Sequence, residues 1–204
     1  MPKSWSYSFQ YRTGMARWAG RLGLELKDLV TSGRISPETH SRVVDLGCGR
    51  GEAAIFLAKR GFEVVGVDFS SVALSEAREA AVRAGVADRC RFVKGDLTAS
   101  EIPGVEGPFD LVTDLGTLDD LQGADREAMA RTIKRLSGPG SLYFLWCVFH
   151  DGNLPLNLKG ILLRLNPKLV PGEEYDLFGD VFKIERLASP PPSSYFASFL
   201  MTRQ

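Results

Sequence analysis

The chain has 204 residues, the size of about one domain, and its 25 basic residues balance 25 acidic ones. With 44% hydrophobic and 25% charged content it buries an ordinary core without disulfide or metal staples. Zero net charge argues against a surface built to grip phosphate backbones, so no nucleic-acid partner is expected.

Residues 1–41 read as an N-terminal cap, and residues 1–42 carry seven Lys/Arg against three Asp/Glu. Trp5, Tyr7, Phe9 and Tyr11 alternate there with polar residues, as an extended arm with one aromatic face would. Lys3, Arg12 and Arg17 break up any apolar region of a targeting signal. From residue 42 the chain alternates short apolar runs with helical stretches. Residues 42–46 (RVVDL) read as a buried strand ending in a glycine-rich turn, and 52–60 as a helix that Gly61 stops. Residues 63–68 (EVVGVD) form the next strand. Ser71 can cap a helix running to about Ala84, which Gly85 closes.

Residues 91–94 make a third strand and 109–114 a fourth. Residues 125–136 form a helix with Met129, Ile133 and Leu136 on one face, after which Gly138-Pro139-Gly140 turns the chain. The continuous apolar run 142–149 is the fifth strand, as expected of a strand covered on both faces. Strand–helix alternation with right-handed crossovers gives an α/β fold: a doubly wound, mostly parallel sheet in three layers. Residues 150–177 break the rhythm and read as a substrate-side insertion or lid, with the very apolar stretch 156–165 inside it. The C-terminal part, 178–204, holds two strands, 181–187 and 196–202, which a short turn with Pro190-Pro191-Pro192 makes antiparallel neighbours. The whole is expected to be a single domain.

Cys48, Cys90 and Cys147 are too widely spaced for a metal-ligand set, so no metal is expected; they read as reduced thiols of a cytoplasmic protein. The longest apolar run is less than half a membrane span, so no membrane partner is expected. The chemistry concentrates in Asp45-Leu46-Gly47-Cys48-Gly49-Arg50-Gly51. Glycines let a ligand approach the backbone where a helix begins, and Asp68 at the end of strand two can accept both hydroxyls of a ribose. The spacing Gly47-x-Gly49-x-Gly51 is one residue shorter than the dinucleotide fingerprint, and the phosphate loop of nucleotide hydrolases is absent. A dinucleotide dehydrogenase is correspondingly disfavoured.

VVDLGCGRG (43–51), VVGVDFS (64–70), VKGDL (93–97) and FDLVTDLG (109–116) resemble, in order and spacing, the motifs of the class I S-adenosylmethionine-dependent methyltransferases. Tyr11-Arg12-Thr13-Gly14 and Trp18 are similar to the cap of the thiopurine methyltransferase and tellurite-resistance branch. The resemblance implies a Rossmann-like sheet of order 3-2-1-4-5-7-6 with an antiparallel last strand. It also implies S-adenosylmethionine as cofactor and S-adenosylhomocysteine as product. By the same resemblance Gly47, Gly49 and Gly51 pass close to the methionine moiety, with Asp45 near its ammonium; Cys48 between them reads as contributing only small size. Asp68, with Phe69 beside it, holds the ribose; Asp96 and the Leu97 N–H take the adenine; Asp114 and Leu115 flank the transferring methyl. The substrate side departs from the branch, with Asp114-Leu115-Gly116 and Asp119-Asp120-Leu121 in place of its usual residues.

Candidate substrate-binding residues are Tyr11, Trp18 and His150. His150, past the end of strand five, can take a proton from a phenol or amine; the alternative is a surface histidine at a loop start. Asp119 and Asp120, after strand four, can orient an amine or act as a base, or be solvated loop carboxylates. The expected activity is in-line methyl transfer to a small-molecule S, N or O acceptor by a monomer or homodimer. A cofactor-binding scaffold without turnover and a methyltransferase of protein or RNA stand as alternatives.

Overall fold

A computed structural model describes residues 23–150, 168–187 and 196–204. The expected aromatic arm, Tyr11, Trp18, the apolar stretch 156–165 and the proline turn at 190–192 lie outside the described residues. The helices are α1 (Leu24–Thr31), α2 (Glu52–Ala58), α3 (Ser71–Arg83), α4 (Ala124–Leu136) and α5 (Glu173–Phe178). The strands are β1 (Arg42–Leu46), β2 (Glu63–Asp68), β3 (Cys90–Lys94), β4 (Phe109–Leu115), β5 (Ser137–Val148), β6 (Phe182–Arg186) and β7 (Phe196–Arg203). Among the described residues no helix is long and apolar enough to cross a membrane.

The strands form one seven-stranded sheet of order β3-β2-β1-β4-β5-β7-β6, parallel except for β7, which runs antiparallel to β5 and β6. This is the order the motifs imply. Its central strands are buried on both faces because helices cover both. Leu26, Leu57, Leu74 and Ala77 from α1, α2 and α3 pack on one face against Val43, Leu111 and Phe144. Met129, Ile133 and Phe178 from α4 and α5 pack on the other against Val44, Val112 and Tyr143.

Register places the functional edge. Leu46 of β1 pairs with Val67 of β2 and with Asp114 of β4. The three central strands therefore end level, and their carboxyl-end loops meet where an open α/β sheet forms its crevice.

Several expectations are corrected. Ser70, not Ser71, caps α3, its Oγ accepting the Ala73 N–H at 3.3 Å. Gly138-Pro139-Gly140 does not separate α4 from its strand: β5 starts at Ser137 and carries these residues as an irregularity. Its pairing jumps from Phe109↔Ser137 to Leu111↔Leu142. Ser141 Oγ secures the jump, accepting the Gly138 N–H at 2.8 Å and donating to the Phe109 carbonyl at 2.7 Å. Within the stretch read as insertion, α5 forms and Leu169 makes a parallel bridge to Phe149. Six residues are too few for a helical period to declare itself.

Candidate functional site

The turn after β1 is held from below by β2. The N–H groups of Gly47 and Cys48 both donate to the Val67 carbonyl, at 2.8 and 3.0 Å, and Gly51 donates to the Cys48 carbonyl at 2.9 Å. Gly49 donates to Asp68 Oδ2 at 2.9 Å. Gly47, Gly49 and Gly51 all have positive φ, which side-chain-bearing residues adopt only under strain. At Gly51 a Cβ would press on the Phe92 ring and Ala77, both 3.0–3.1 Å away. The buried Cys48 fits because Gly66 opposite lacks a side chain; a Cβ there would lie 2.9 Å from Sγ. Burial pushes the Cys48 thiol well up, so it is an inert filler.

Three buried carboxylates surround this turn. Asp68 accepts Ser70 N–H through Oδ1 at 2.7 Å in addition to its bond to Gly49, and burial raises its pKa. Asp45 accepts the Thr113 hydroxyl through Oδ1 at 2.8 Å, while its Oδ2 is buried without a hydrogen-bond partner. Burial raises it to about 7, helped by the charges of Glu52 and Asp68. Asp114, fully buried, accepts Thr117 N–H at 2.8 Å, Leu118 N–H at 3.1 Å and the Tyr143 hydroxyl at 3.3 Å. Burial lifts it to about 7 as well. Its carboxylate therefore shapes the turn after β4, and Leu115, half-buried, is the residue of that pair with exposed surface.

These facts decide what charge the crevice favours. The four turn N–H groups named are committed inside the protein, so they cannot cradle a phosphate. Carboxylates crowd the place where a pyrophosphate would have to sit. The orphaned Asp45 Oδ2 instead fits a ligand bearing positive charge or spare donors, since a buried unpaired acceptor is costly. Phe69, 38% exposed, stands beside Asp68 at the rim. Asp96 is part-buried, with Oδ1 accepting Thr98 N–H and Oγ1 at 2.9 and 2.7 Å. Leu97 next to it is buried. A separate depression of about 670 Å³ opens at the opposite ends of the strands, lined by Arg42, Arg89 and Arg91 and equally by Glu63, Asp88 and Glu106. It is remote from the glycine turn.

After β4 and β5 the solvated readings of Asp119 and His150 do not hold. Asp119 is 2% exposed. β4 stops at Leu115 opposite Trp146, so it offers no partner to the Val148 N–H, and Asp119 Oδ2 accepts that donor at 2.9 Å. Burial and the charges of Asp120 and Asp114 push the Asp119 carboxyl well up. Asp120 remains half-buried. His150 is not a surface residue either: it is buried, its backbone N–H donating to the Leu169 carbonyl at 3.3 Å.

Sequence reasoning missed Arg126. Nearly buried in α4, it donates to the carbonyls of Leu121 at 2.8 Å, Asp119 at 3.1 Å and Lys168 at 2.9 Å, and it pairs with Glu173. It thus ties the loop after β4 to the segment entering α5. Thr113, Tyr143 and Trp146 were hidden inside runs that read simply as strand.

Residues 43–140 match a family described as a methyltransferase domain. The chain is 29% identical over 136 residues to the 2-heptyl-1-hydroxyquinolin-4(1H)-one methyltransferase of Mycobacteroides abscessus, covering 67% of this chain and 56% of that protein. It is 36% identical over 104 residues to the ubiquinone biosynthesis O-methyltransferase of Pseudomonas aeruginosa, covering 51% and 43%. The chain thus spans about half the length of these curated relatives. Among solved structures it resembles Burkholderia thailandensis 1,6-didemethyltoxoflavin-N1-methyltransferase with bound 1,6-didemethyltoxoflavin and S-adenosylhomocysteine. The TM-score is 0.71 at 22% identity, over 98% of this chain and 85% of that one. The likeness is one of fold, the Rossmann-like methyltransferase sheet.

Proposed function

We propose that the chain is an S-adenosylmethionine-dependent methyltransferase acting on a small-molecule S, N or O acceptor. The observation that carries this reading is the glycine turn closed by Asp68 and flanked by the orphaned carboxylate oxygen of Asp45. Such a crevice accepts a cationic nucleoside and repels a pyrophosphate. The match over residues 43–140 supports it, as do the small-molecule methyltransferases among the relatives.

In this reading Gly47, Gly49 and Gly51 give the amino-acid end close access to backbone, with Cys48 supplying only its small size. Asp45 Oδ2 takes the ammonium. Asp68 uses its remaining lone pairs on the ribose hydroxyls, with Phe69 against the base and Asp96 and Leu97 at its edge. Leu115 and the turn shaped by Asp114 border the reacting end. The bound cofactor supplies an electrophilic sulfonium methyl. The protein's own task is then to hold an acceptor in line with it, and such positioning supplies roughly 7–11 kcal/mol. Asp119, Asp120 and His150 are the groups available to orient the acceptor or take its proton. The finer placement, in the thiopurine and tellurite-resistance branch, rests on Tyr11–Gly14 and Trp18; Tyr11 and Trp18 would cover the acceptor. We place the enzyme in the cytoplasm, as a monomer or homodimer.

Calorimetric titration with S-adenosylhomocysteine tests the reading, with NADH as control and Asp68→Ala as variant. Micromolar binding, weakened at least tenfold by the substitution and absent for NADH, is expected. Failure of the wild type to bind, or binding indifferent to Asp68, overturns it.

A further inference from the structure

The loop after β4 leaves one polar atom unsatisfied. Asp119 has its Oδ2 bonded to the Val148 N–H and its carbonyl bonded to Arg126, yet Oδ1 is buried with no hydrogen-bond partner. An orphaned buried acceptor is costly, and ligand binding is a way to recover that cost.

Gly116 lies close to Oδ1. A Cβ built on that glycine would stand 3.9 Å from Asp119 Oδ1 and 3.5 and 3.7 Å from two atoms of the six-membered ring of Trp146. Among the described residues these are its nearest neighbours, all at ordinary contact distance. The missing side chain therefore leaves room for about one methyl group beside a carboxyl oxygen and an indole. The indole is a fixed wall, since Phe196 stacks on it at 4.8 Å with planes 14° apart. Gly116, Asp119 and Trp146 all stand at the carboxyl ends of β4 and β5, on the edge that carries the glycine turn.

We infer that Asp119 Oδ1, Trp146 and Gly116 form the acceptor subsite, and that the acceptor is a planar heteroaromatic whose ring-borne O–H or N–H shares one proton with Oδ1. This rests on the methyltransferase reading and narrows its acceptor. Oδ2 is committed as an acceptor to Val148, so the shared proton can reside only on Oδ1 or on the ring. The hydrogen bond is the same in either case. Burial and the neighbouring Asp114 and Asp120 carboxyls favour the proton on Oδ1, which leaves the ring heteroatom anionic and ready as a nucleophile. The flat indole accounts for the planar shape, offset stacking being the favoured packing of aromatic rings. Gly116 accounts for the close approach.

The test is calorimetric binding to protein saturated with S-adenosylhomocysteine. The probes are 2-heptyl-1-hydroxyquinolin-4(1H)-one and 1-hydroxyquinolin-4(1H)-one, each against its own O-methyl ether. At least one hydroxy compound is expected to bind the wild type tenfold or more tighter than its ether. Asp119→Asn, which places an amide donor where the proton was shared, should abolish that preference. Gly116→Ala should weaken the hydroxy compound about tenfold, by filling that room and by straining a backbone held at φ +92°. Both variants should bind S-adenosylhomocysteine within twofold of the wild type, which also reports that they are folded. The hydroxy-against-ether comparison on the wild type needs no variant at all. Equal binding of hydroxy compound and ether, a preference that survives Asp119→Asn, or no binding of either hydroxy compound overturns the subsite. Absence of S-adenosylhomocysteine binding by the wild type would instead bring down the methyltransferase reading itself.

Discussion

Asp68 Oδ2 accepts the backbone N–H of Gly49 at 2.9 Å while its Oδ1 accepts that of Ser70 at 2.7 Å. One carboxylate at the end of β2 thus braces the glycine turn and the start of α3 before any ligand arrives. Asp68→Ala orphans two buried donors, so the ligand-free protein should lose about 1–3 kcal/mol of stability. Asp68→Asn keeps one acceptor and should lose less. Urea unfolding without ligand measures both, and an unchanged Asp68→Ala variant would mean the turn holds its shape without the carboxylate.

Among the described residues Gly47 is the glycine most tightly enclosed. A Cβ there would collide with Thr117 Oγ1 and come within 2.9 Å of Thr117 Cβ, at a φ of +71°. Gly47→Ala should therefore cost the strain of a left-handed alanine, about 1 kcal/mol, plus an overpacking cost of about 1–3 kcal/mol. Adding Thr117→Gly removes the collision but not the strain. In a double-mutant cycle of unfolding free energies the pair should be less destabilised than the sum of the singles. Strict additivity would show that the turn moves aside instead.

How much of this was legible depended on whether a residue's partners lay in its own pattern. β1 and β2 begin and end where the pattern placed them, and the sheet order follows from motifs read in series. Asp45, Asp68 and the glycines were visible because turn geometry constrains residue type locally. For Asp119 and His150 the pattern left a solvent-facing alternative open, because their burial comes from Val148 and Leu169, which only the folded sheet brings near. Arg126 did leave a trace: it sits three residues before Met129 on the stripe that continues through Ile133 and Leu136. A charge on an apolar stripe signals a buried partner. The α4–β5 junction was misread because Gly138-Pro139-Gly140 has the composition of a turn, while Ser141 holds it in the strand.

The pH dependence of stability should reveal Asp45. Its carboxyl rises from the ordinary 3.8 to about 7 in the fold. Below about pH 4 folded and unfolded states both keep the proton. As pH climbs towards 7 the unfolded chain ionises first, so this contribution to stability is progressively lost and is gone above about pH 8. Asp45→Asn removes that loss while keeping an acceptor for Thr113. The stability of the variant relative to the wild type should therefore increase by about 2–3 kcal/mol between pH 5 and pH 8. Denaturation curves at the two pH values decide it; a constant difference would mean Asp45 is ionised in the fold throughout.

Arg126 links three carbonyls and a carboxylate that belong to separate segments. Because Glu173 is 25% exposed while Arg126 is nearly buried, the two partners should not be equivalent. Glu173→Gln leaves the carbonyl bonds in place and trades a partly screened charge, so it should cost less than about 1 kcal/mol. Arg126→Met strands three acceptors and Glu173 together and should cost about 2–4 kcal/mol. One of those acceptors is the carbonyl of Asp119, so the arginine variant should also weaken binding of the hydroxyquinolone probes while sparing S-adenosylhomocysteine. Equal losses from the two substitutions in urea unfolding would assign the stability to the ion pair. The larger loss expected for Arg126→Met assigns it to the carbonyl clamp, which the glutamate only helps to hold.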